Sequence, residues 1–262
     1  MPQASPTLNI MIAAARKAAR ALARDFGEVE NLQVSRKGPS DFVSSADLKA
    51  EKTLFEELSK ARPGYGFLME ERGAVEGTDK SHRWLVDPLD GTTNFLHGIP
   101  HFAISIGLER EGVLVAGVVY NVVRDELFWA EKGSGAYLND RRLRVAARSD
   151  MRGALFATGT PFHGKPGHDV FLREVEAVIG KTAGVRRWGA AALDLAYVAA
   201  GRFDGFWERG LSPWDIAAGA VLVREAGGVV SEPDGGDFMK SGAVLASNTA
   251  LAPQLTQVLR AG

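Results

Sequence analysis

The chain has 262 residues, of which 45% are hydrophobic, so it is long and apolar enough to bury a substantial core. Its 31 basic and 32 acidic residues give a net charge of -1, which excludes a general attraction to nucleic acid or to an anionic membrane. The sequence contains no cysteine, which excludes disulfide bonds and thiolate metal ligands.

The chain contains no apolar run of the roughly 20 residues that a transmembrane helix needs, and no hydrophobic signal segment follows Met1. We therefore predict a cytoplasmic protein that interacts with neither membranes nor nucleic acids. An anionic ligand of such a protein must be captured by a local site, because the net charge does not attract it.

The first predicted element is an amphipathic helix over residues 8–26, with apolar side chains at helical spacing and basic side chains opposite them. We interpret the basic side as a solvated face rather than as a targeting sequence. Residues 29–34 are predicted to form a strand. Asp47 is predicted to cap the next helix, which extends to Ala61.

Residues 67–71, Phe-Leu-Met-Glu-Glu, predict a strand that ends in two acids. The chain then reaches Trp84-Leu-Val-Asp87-Pro88-Leu-Asp90-Gly91-Thr92-Thr-Asn-Phe95. Its first three residues predict a short buried strand, and we expect the strand to stop at Asp87 because Pro88 cannot donate to a ladder.

Asp87 and Asp90 can point into one small volume, because Pro88 fixes the backbone between them. Two adjacent negative charges are costly unless a cation shares them, and hard oxygen ligands favour Mg²⁺, Mn²⁺ or Ca²⁺. The simpler interpretation is a β-turn followed by a capped helix. Gly91 and Thr92 add backbone N–H groups and a hydroxyl, which favours phosphate held against a metal.

This stretch resembles the Asp-Pro-Ile/Leu-Asp-Gly-Thr signature of the inositol monophosphatase family, the Mg²⁺-dependent, lithium-sensitive sugar phosphatases. The resemblance extends over nearly the whole chain. It implies an α/β fold, a layered α-β-α-β-α sandwich of the inositol monophosphatase and fructose-1,6-bisphosphatase type, and a homodimer.

Two upstream acids take their expected roles from this resemblance. Glu70 matches the first glutamate of the family's Gly-Glu-Glu motif, which bridges metals and orients the attacking water, although Met69 replaces the usual glycine. Asp47 matches an aspartate at the edge of the metal site that is linked to a third, weaker metal.

Downstream, residues 102–108, 114–120 and 126–130 predict consecutive antiparallel strands. Strands alternating with helices follow, so we predict two subdomains. Residues 1–150 would carry most metal ligands, and residues 151–262 would complete the site. Residues 159–166, Gly-Thr-Pro-Phe-His-Gly-Lys-Pro, come close to a phosphate-binding P-loop. We reject a nucleotide site because Pro166 stands where the Mg²⁺-binding hydroxyl belongs.

Two further motifs lie in this second part of the chain. Gly189-Ala-Ala-Ala begins a predicted helix, and in the family this stretch lies beside the inositol ring. Leu211-Ser-Pro-Trp-Asp215 precedes another helix, for which Asp215 is a candidate N-cap. The resemblance instead implies that Asp215 is a third metal-binding aspartate and that Glu208 bonds to a substrate hydroxyl.

The resemblance thus implies a complete site. Two or three Mg²⁺ ions would be bound by Glu70, Asp87, the Leu89 carbonyl, Asp90 and Asp215, with Asp47 as a possible third-metal ligand. The catalytic residues would be Glu70, Thr92 and Asp90. The substrate contacts would be Gly91, Thr92, Gly189, Ala190, Ala191, Glu208 and Asp215.

The function that follows is hydrolysis of a phosphate monoester of a small polyol, with inositol monophosphate as the preferred substrate. Histidinol phosphate and fructose 1,6-bisphosphate are the alternatives, because the metal-binding core is shared across the superfamily. A different class of function is a regulatory binding protein on a phosphatase fold.

Overall fold

The structure of the protein is a computed structural model that describes residues 4–28, 34–38 and 41–261. The part of the chain before residue 150 forms three helices and ten strands among these residues. They are α1 (Pro6–Phe26), β1 (Val34–Gly38), β2 (Asp41–Ser44), α2 (Ser45–Ala61), β3 (Tyr65–Met69), β4 (Gly73–Val75), β5 (Asp79–Asp90), α3 (Thr92–Leu96), β6 (Ala103–Arg110), β7 (Val113–Asn121), β8 (Glu126–Glu131), β9 (Gly135–Leu138) and β10 (Arg141–Arg142).

The later part of the chain alternates strands with helices, as predicted. Its elements are β11 (Leu155–Thr158), α4 (His168–Ile179), β12 (Gly184–Arg186), α5 (Ala191–Ala199), β13 (Gly205–Glu208), α6 (Pro213–Glu225), β14 (Val229–Ser231), α7 (Phe238–Ser241), β15 (Val244–Ser247) and α8 (Ala252–Ala261). The short elements β14 and α7 were not predicted.

Two large sheets organise these elements. The first has eight strands in the order β10-β9-β8-β7-β6-β5-β3-β4, and only β3 and β5 are parallel. The second has five strands in the order β12-β11-β13-β15-β14, of which the first three are parallel. The prediction of consecutive antiparallel strands at β6, β7 and β8 is confirmed.

The helices form layers around the two sheets. Helices α1 and α2 pack on one face of the eight-stranded sheet, and α5 and α6 lie between the two sheets. Helices α4 and α8 cover the outer face of the five-stranded sheet. This is the predicted α-β-α-β-α sandwich. The last strand of the eight-stranded sheet ends at Arg142, and the first strand of the five-stranded sheet begins at Leu155. The division into two subdomains at residue 150 stays a prediction.

The predicted end of the strand at Asp87 is wrong. Strand β5 continues through Pro88 to Asp90, and its pairing with β6 shifts register between Asp87 and Asp90. A β-bulge leaves the extra residue out of the ladder, so a proline without an N–H is tolerated there.

Two other predictions concern the start of the chain and membrane association. Of the strand predicted at residues 29–34, residues 29–33 lie outside the described residues, and the observed strand β1 begins at Val34. None of the helices that the structure describes is long and apolar enough to cross a membrane.

Candidate active site

A cavity of about 910 Å³ collects the predicted site residues from both parts of the chain. All the predicted metal, catalytic and substrate residues except Asp47 line it. They are Glu70, Asp87, Leu89, Asp90, Gly91, Thr92, Gly189, Ala190, Ala191, Glu208 and Asp215.

The floor of the cavity is built where two neighbouring parallel strands end. Glu70 follows β3 directly, and Asp87 and Asp90 stand at the end of β5. The Glu70 N–H donates to the Val86 carbonyl at 3.2 Å, which extends the pairing beyond the strand. Because parallel strands end at the same edge of a sheet, the three acids face one space.

The turn after Asp87 is fixed by local hydrogen bonds. The Leu89 N–H donates to Asp87 Oδ1 at 2.9 Å. The Thr92 hydroxyl lies 3.0 Å from the Leu89 carbonyl and 3.0 Å from Asp47 Oδ1, so it can donate to either oxygen. Gly91 has a φ of 91°, which a side chain would strain, and helix α3 starts directly after it.

Asp47 is fully buried beside the cavity rather than on its wall. The N-cap of α2 is Ser44, and Asp47 is the third helical residue, so the prediction that Asp47 caps this helix is wrong in position. Ser44 and Asp47 form a capping box, in which the Ser44 N–H donates to Asp47 Oδ2 at 2.8 Å. Because its other oxygen contacts Thr92, Asp47 orients that hydroxyl, and its third-metal role stays a prediction.

Asp90 connects the floor to the second part of the chain. Its carboxylate accepts the Ala191 N–H at 3.2 Å and the Ala192 N–H at 2.8 Å. These N–H groups stand at the start of α5, where they have no partner within the helix and where a carboxylate is favoured. The helix begins at Ala191, so Gly189 and Ala190 form the turn that precedes it.

Asp215 enters the cavity from α6. It is not the N-cap that the simpler alternative made it, because the N-cap is Ser212 and Asp215 is the third helical residue. Its role as a metal ligand stays a prediction. The Ser212 N–H donates to Asp215 Oδ2 at 2.8 Å, which completes a second capping box. Both acids that sequence analysis assigned to helix starts therefore occupy the same capping position.

Burial and mutual repulsion make these carboxyl groups hard to ionise. Burial, followed by the charges of Glu70, Asp90 and Asp215, raises the pKa of Asp87 well above its ordinary value. Burial raises the pKa of Asp90 to about 7, although backbone N–H groups at the start of α5 oppose the shift. Burial and the neighbouring acids also raise the pKa of Asp215.

Glu208 stands on another wall, at the end of β13. Burial, and then the charge of Asp90, raises its pKa to about 8, whereas Arg187 acts in the opposite direction. Gly159 leaves room for it, because a Cβ at this position would overlap the Glu208 carboxylate. The glycine at 159 therefore determines where the Glu208 side chain can lie.

The donor set suits a hard divalent cation. Four carboxylates and a backbone carbonyl offer only oxygen ligands. Burial and neighbouring charges raise the pKa of Asp87, Asp90 and Asp215, so a bound cation would favour the ionised form of these three acids. Among the described residues, no three acidic or histidine side chains stand close enough to coordinate one ion as they are. The ligand set therefore stays a prediction.

Two parts of the cavity were not predicted from the sequence, namely Arg187 at its rim and the loop over residues 159–166. The Arg187 Nε donates to Thr160 Oγ1 at 3.0 Å, which joins the rim to this loop. The loop that resembled a P-loop thus forms a wall of the cavity. The only available signal for Arg187 was its position two residues before Gly189.

Comparison with known proteins identifies the chain's relatives. The model of the "Inositol monophosphatase family" matches residues 3–261. An "Inositol-1-monophosphatase" of Caulobacter vibrioides is 63% identical over 255 residues, which cover 96% of this chain and all of the relative. A "Nus factor SuhB" of Pseudomonas aeruginosa is 48% identical over 249 residues, which cover 93% of this chain and 92% of the relative.

A solved structure has nearly the same fold. The crystal structure of the extragenic suppressor protein suhB from Bartonella henselae superimposes with a TM-score of 0.96 at 57% sequence identity. The match covers 98% of this chain and 100% of the Bartonella chain.

Proposed function

Because the chain belongs to the inositol monophosphatase family, we propose that it hydrolyses inositol monophosphate to inositol and inorganic phosphate. It is accordingly a phosphoric monoester hydrolase. One observation carries the proposal. Glu70, Asp87, Asp90 and Asp215 reach a single cavity from three separate places in the chain, next to the Leu89 carbonyl and the start of α3.

We propose Mg²⁺ as the cofactor, bound as two or three ions by Glu70, Asp87, the Leu89 carbonyl, Asp90 and Asp215. Burial, and then the charges of neighbouring acids, raises the pKa of Asp87 and Asp215, and a bound cation would relieve this repulsion. Bound Mg²⁺ supplies charge neutralisation at the phosphoryl group and lowers the pKa of water.

The chain's own residues would then orient the reactants. Glu70, which the Thr92 hydroxyl assists, accepts the proton of the attacking water. The backbone N–H groups of Gly91 and Thr92 donate to phosphate oxygens. Asp47 supports this arrangement because its Oδ1 lies 3.0 Å from the Thr92 hydroxyl. Phosphoryl transfer depends chiefly on such positioning and charge stabilisation.

The polyol is proposed to lie between the turn at Gly189–Ala191 and Glu208, with Asp215 opposite. The small side chains of the turn leave room for a ring, and the Glu208 carboxyl group can bond to a hydroxyl. Histidinol phosphate and fructose 1,6-bisphosphate remain alternative substrates for the same chemistry. Lithium inhibition and a homodimer are expectations from the family resemblance, and a cytoplasmic location is an expectation from the lack of an apolar run and a signal segment in the sequence.

The test is phosphate release by the purified protein with Mg²⁺, with EDTA, and with added Li⁺. The substrates are inositol 1-phosphate, histidinol phosphate, fructose 1,6-bisphosphate and adenosine 3′,5′-bisphosphate. We expect Mg²⁺-dependent release that is fastest from inositol 1-phosphate. Preference for another ester would change the substrate but keep the chemistry, and no metal-dependent release from any ester would contradict the proposal.

A regulatory binding role is the second candidate, and the relative named Nus factor SuhB favours it. This role would leave phosphate release weak on every ester while a protein partner co-purifies with the chain. The complete set of cavity acids favours the enzyme.

A further inference from the structure

Asn94 links the two parts of the active site through its side-chain amide. It lies in α3, just after the Asp87–Thr92 stretch, and is 7% exposed. Its Nδ2 donates to the His101 carbonyl at 2.8 Å and to the Trp188 carbonyl at 2.7 Å. An amide nitrogen carries two hydrogens, so both bonds can exist together.

The Trp188 carbonyl belongs to the turn that leads into α5. Asp90 holds the other side of this turn, because its carboxylate accepts the N–H groups of Ala191 and Ala192. Two side chains that are four residues apart therefore bind the two ends of the segment 188–192. Asn94 donates to a carbonyl at its start, and Asp90 accepts from amides at its end.

The second acceptor of the Asn94 amide, the His101 carbonyl, lies next to the proposed phosphate contacts. The His101 carbonyl that Asn94 binds also packs against Gly91, where a Cβ would lie 3.0 Å from that oxygen. The Asn94 backbone carbonyl accepts the Ile99 N–H at 2.8 Å, which fixes the loop between them. Asn94 thus connects the segment of the proposed phosphate contacts to the turn at Gly189–Ala191.

We infer that Asn94 is a positioning residue that places the turn at 188–191 against the reacting phosphate and thereby determines selectivity for the polyol. This inference rests on the proposed function. The effect of the buried Asn94 amide is transmitted through the Trp188 carbonyl and through the Gly189 carbonyl, which lies 3.4 Å from Nδ2.

The chain offers a matched control in Asn248. This residue is 6% exposed, and its Nδ2 donates to the Ala146 and Arg148 carbonyls at 2.8 Å each. It does not line the cavity. Asn94→Ala and Asn248→Ala therefore each remove a buried amide whose nitrogen donates to backbone carbonyls, but only the first is adjacent to the site. Asn248→Ala also removes the oxygen that accepts the Ala250 and Leu251 N–H groups, so it is the more disruptive change for local structure.

The first readout is structural and independent of activity. Hydrogen–deuterium exchange of the segment 187–193 is measured in both variants and in the unchanged protein. We expect faster exchange in Asn94→Ala, because the Ala191 and Ala192 N–H groups lose the fixed geometry of their bonds to Asp90. We expect Asn248→Ala to leave this segment unchanged. Unchanged exchange in Asn94→Ala would overturn the inference even if the protein proves to be no phosphatase.

The second readout is selectivity between inositol 1-phosphate and p-nitrophenyl phosphate, which lacks the polyol. We expect Asn94→Ala to raise KM for inositol 1-phosphate by about tenfold, with a smaller change for p-nitrophenyl phosphate. Asn248→Ala should leave the ratio of the two kcat/KM values unchanged. The inference would be overturned if the ratio of the two kcat/KM values changed equally in both variants, or if it changed in neither.

Folding is verified first by circular dichroism and thermal denaturation. If Asn94→Ala does not fold, Asn94→Ser, which keeps one donor, is measured in the same way against Asn248→Ser. Failure of both Asn94 variants to fold, alongside folded Asn248 variants, would identify a folding determinant and would reject the selectivity role. Absence of turnover in the unchanged protein would instead contradict the proposed function.

Discussion

Asp90 shows how much one side chain does in this structure. It ends a strand, faces the other acids of the cavity, and accepts two N–H groups from the start of α5. The same carboxylate is thus proposed as a metal ligand and serves as a link between two elements that are about a hundred residues apart in the chain.

Replacing Asp90 with asparagine tests the first of these roles. Asn keeps the shape but removes the negative charge and leaves one oxygen to accept the two α5 N–H groups. We expect turnover on inositol 1-phosphate to fall on the order of 10²-fold or more while the overall fold persists. Steady-state kinetics and circular dichroism measure the two effects. The control is Asp25→Asn, which changes a buried acid paired with Lys49 outside the cavity. Near-normal Mg²⁺-dependent turnover of Asp90→Asn would contradict its assignment.

A second prediction for a single residue concerns Gly159, which lies against Glu208. In Gly159→Ala the new methyl group must displace the Glu208 carboxylate, so we expect KM for inositol 1-phosphate to rise roughly tenfold with a smaller effect on kcat. Gly153→Ala is the matched control, because a Cβ there meets nothing closer than 3.7 Å. An unchanged KM in Gly159→Ala would show that Glu208 does not contact the substrate.

Among the elements, α2 and α6 start in the same way at the site. Each begins with a capping box, whose serine is the N-cap and whose aspartate points toward the cavity region. A capping box satisfies two backbone donors at once, so the aspartate has little freedom to rotate. The helix starts therefore hold Asp47 and Asp215 in place, in addition to stabilising the helices.

Ser44→Ala tests this arrangement in α2. Loss of an N-cap costs about 1 kcal/mol of unfolding free energy. We expect kcat to fall several-fold as well, because Asp47 loses the Ser44 hydroxyl, keeps only the Ser44 backbone N–H on this oxygen, and orients the Thr92 hydroxyl less firmly. Ser5→Ala removes the N-cap of α1 and is expected to cost similar stability without changing kcat. Urea denaturation and kinetics compare the variants, and equal kcat values would show that the cap has no catalytic consequence.

The molecule as a whole encloses several acids between its two sheets, and this arrangement has a thermodynamic consequence. The pKa of Asp90 is about 7 and that of Glu208 about 8, both far above the values of unfolded chains. Between pH 4 and these values the folded protein binds more protons than the unfolded chain. The unfolding free energy of the metal-free protein must therefore fall as pH rises through this range.

Urea denaturation in EDTA at a series of pH values checks this prediction. We expect the unfolding free energy to fall between about pH 5 and pH 8, by roughly 1.4 kcal/mol per pH unit for each group protonated only in the folded state. Added Mg²⁺ should stabilise the protein most at the upper end of this range, where the acids are ionised. Glu208→Gln should flatten the slope in EDTA. A slope of zero in EDTA would contradict the raised pKa values.

The sequence by itself determined the kind of site and the order of the elements. Asp87, Asp90 and the glycine and threonine that follow carry their chemistry in the residue types, and hydrophobic periodicity located most helices and strands. The sequence did not determine that strand β5 continues beyond Pro88, because a β-bulge depends on the pairing with the partner strand β6. The contacts of Asp47 with Thr92, of Gly159 with Glu208 and of Asn94 with Trp188 were decided only by the tertiary structure. Each joins residues that are dozens of positions apart, and local patterns contain no information on which distant backbone or side chain will face a given residue.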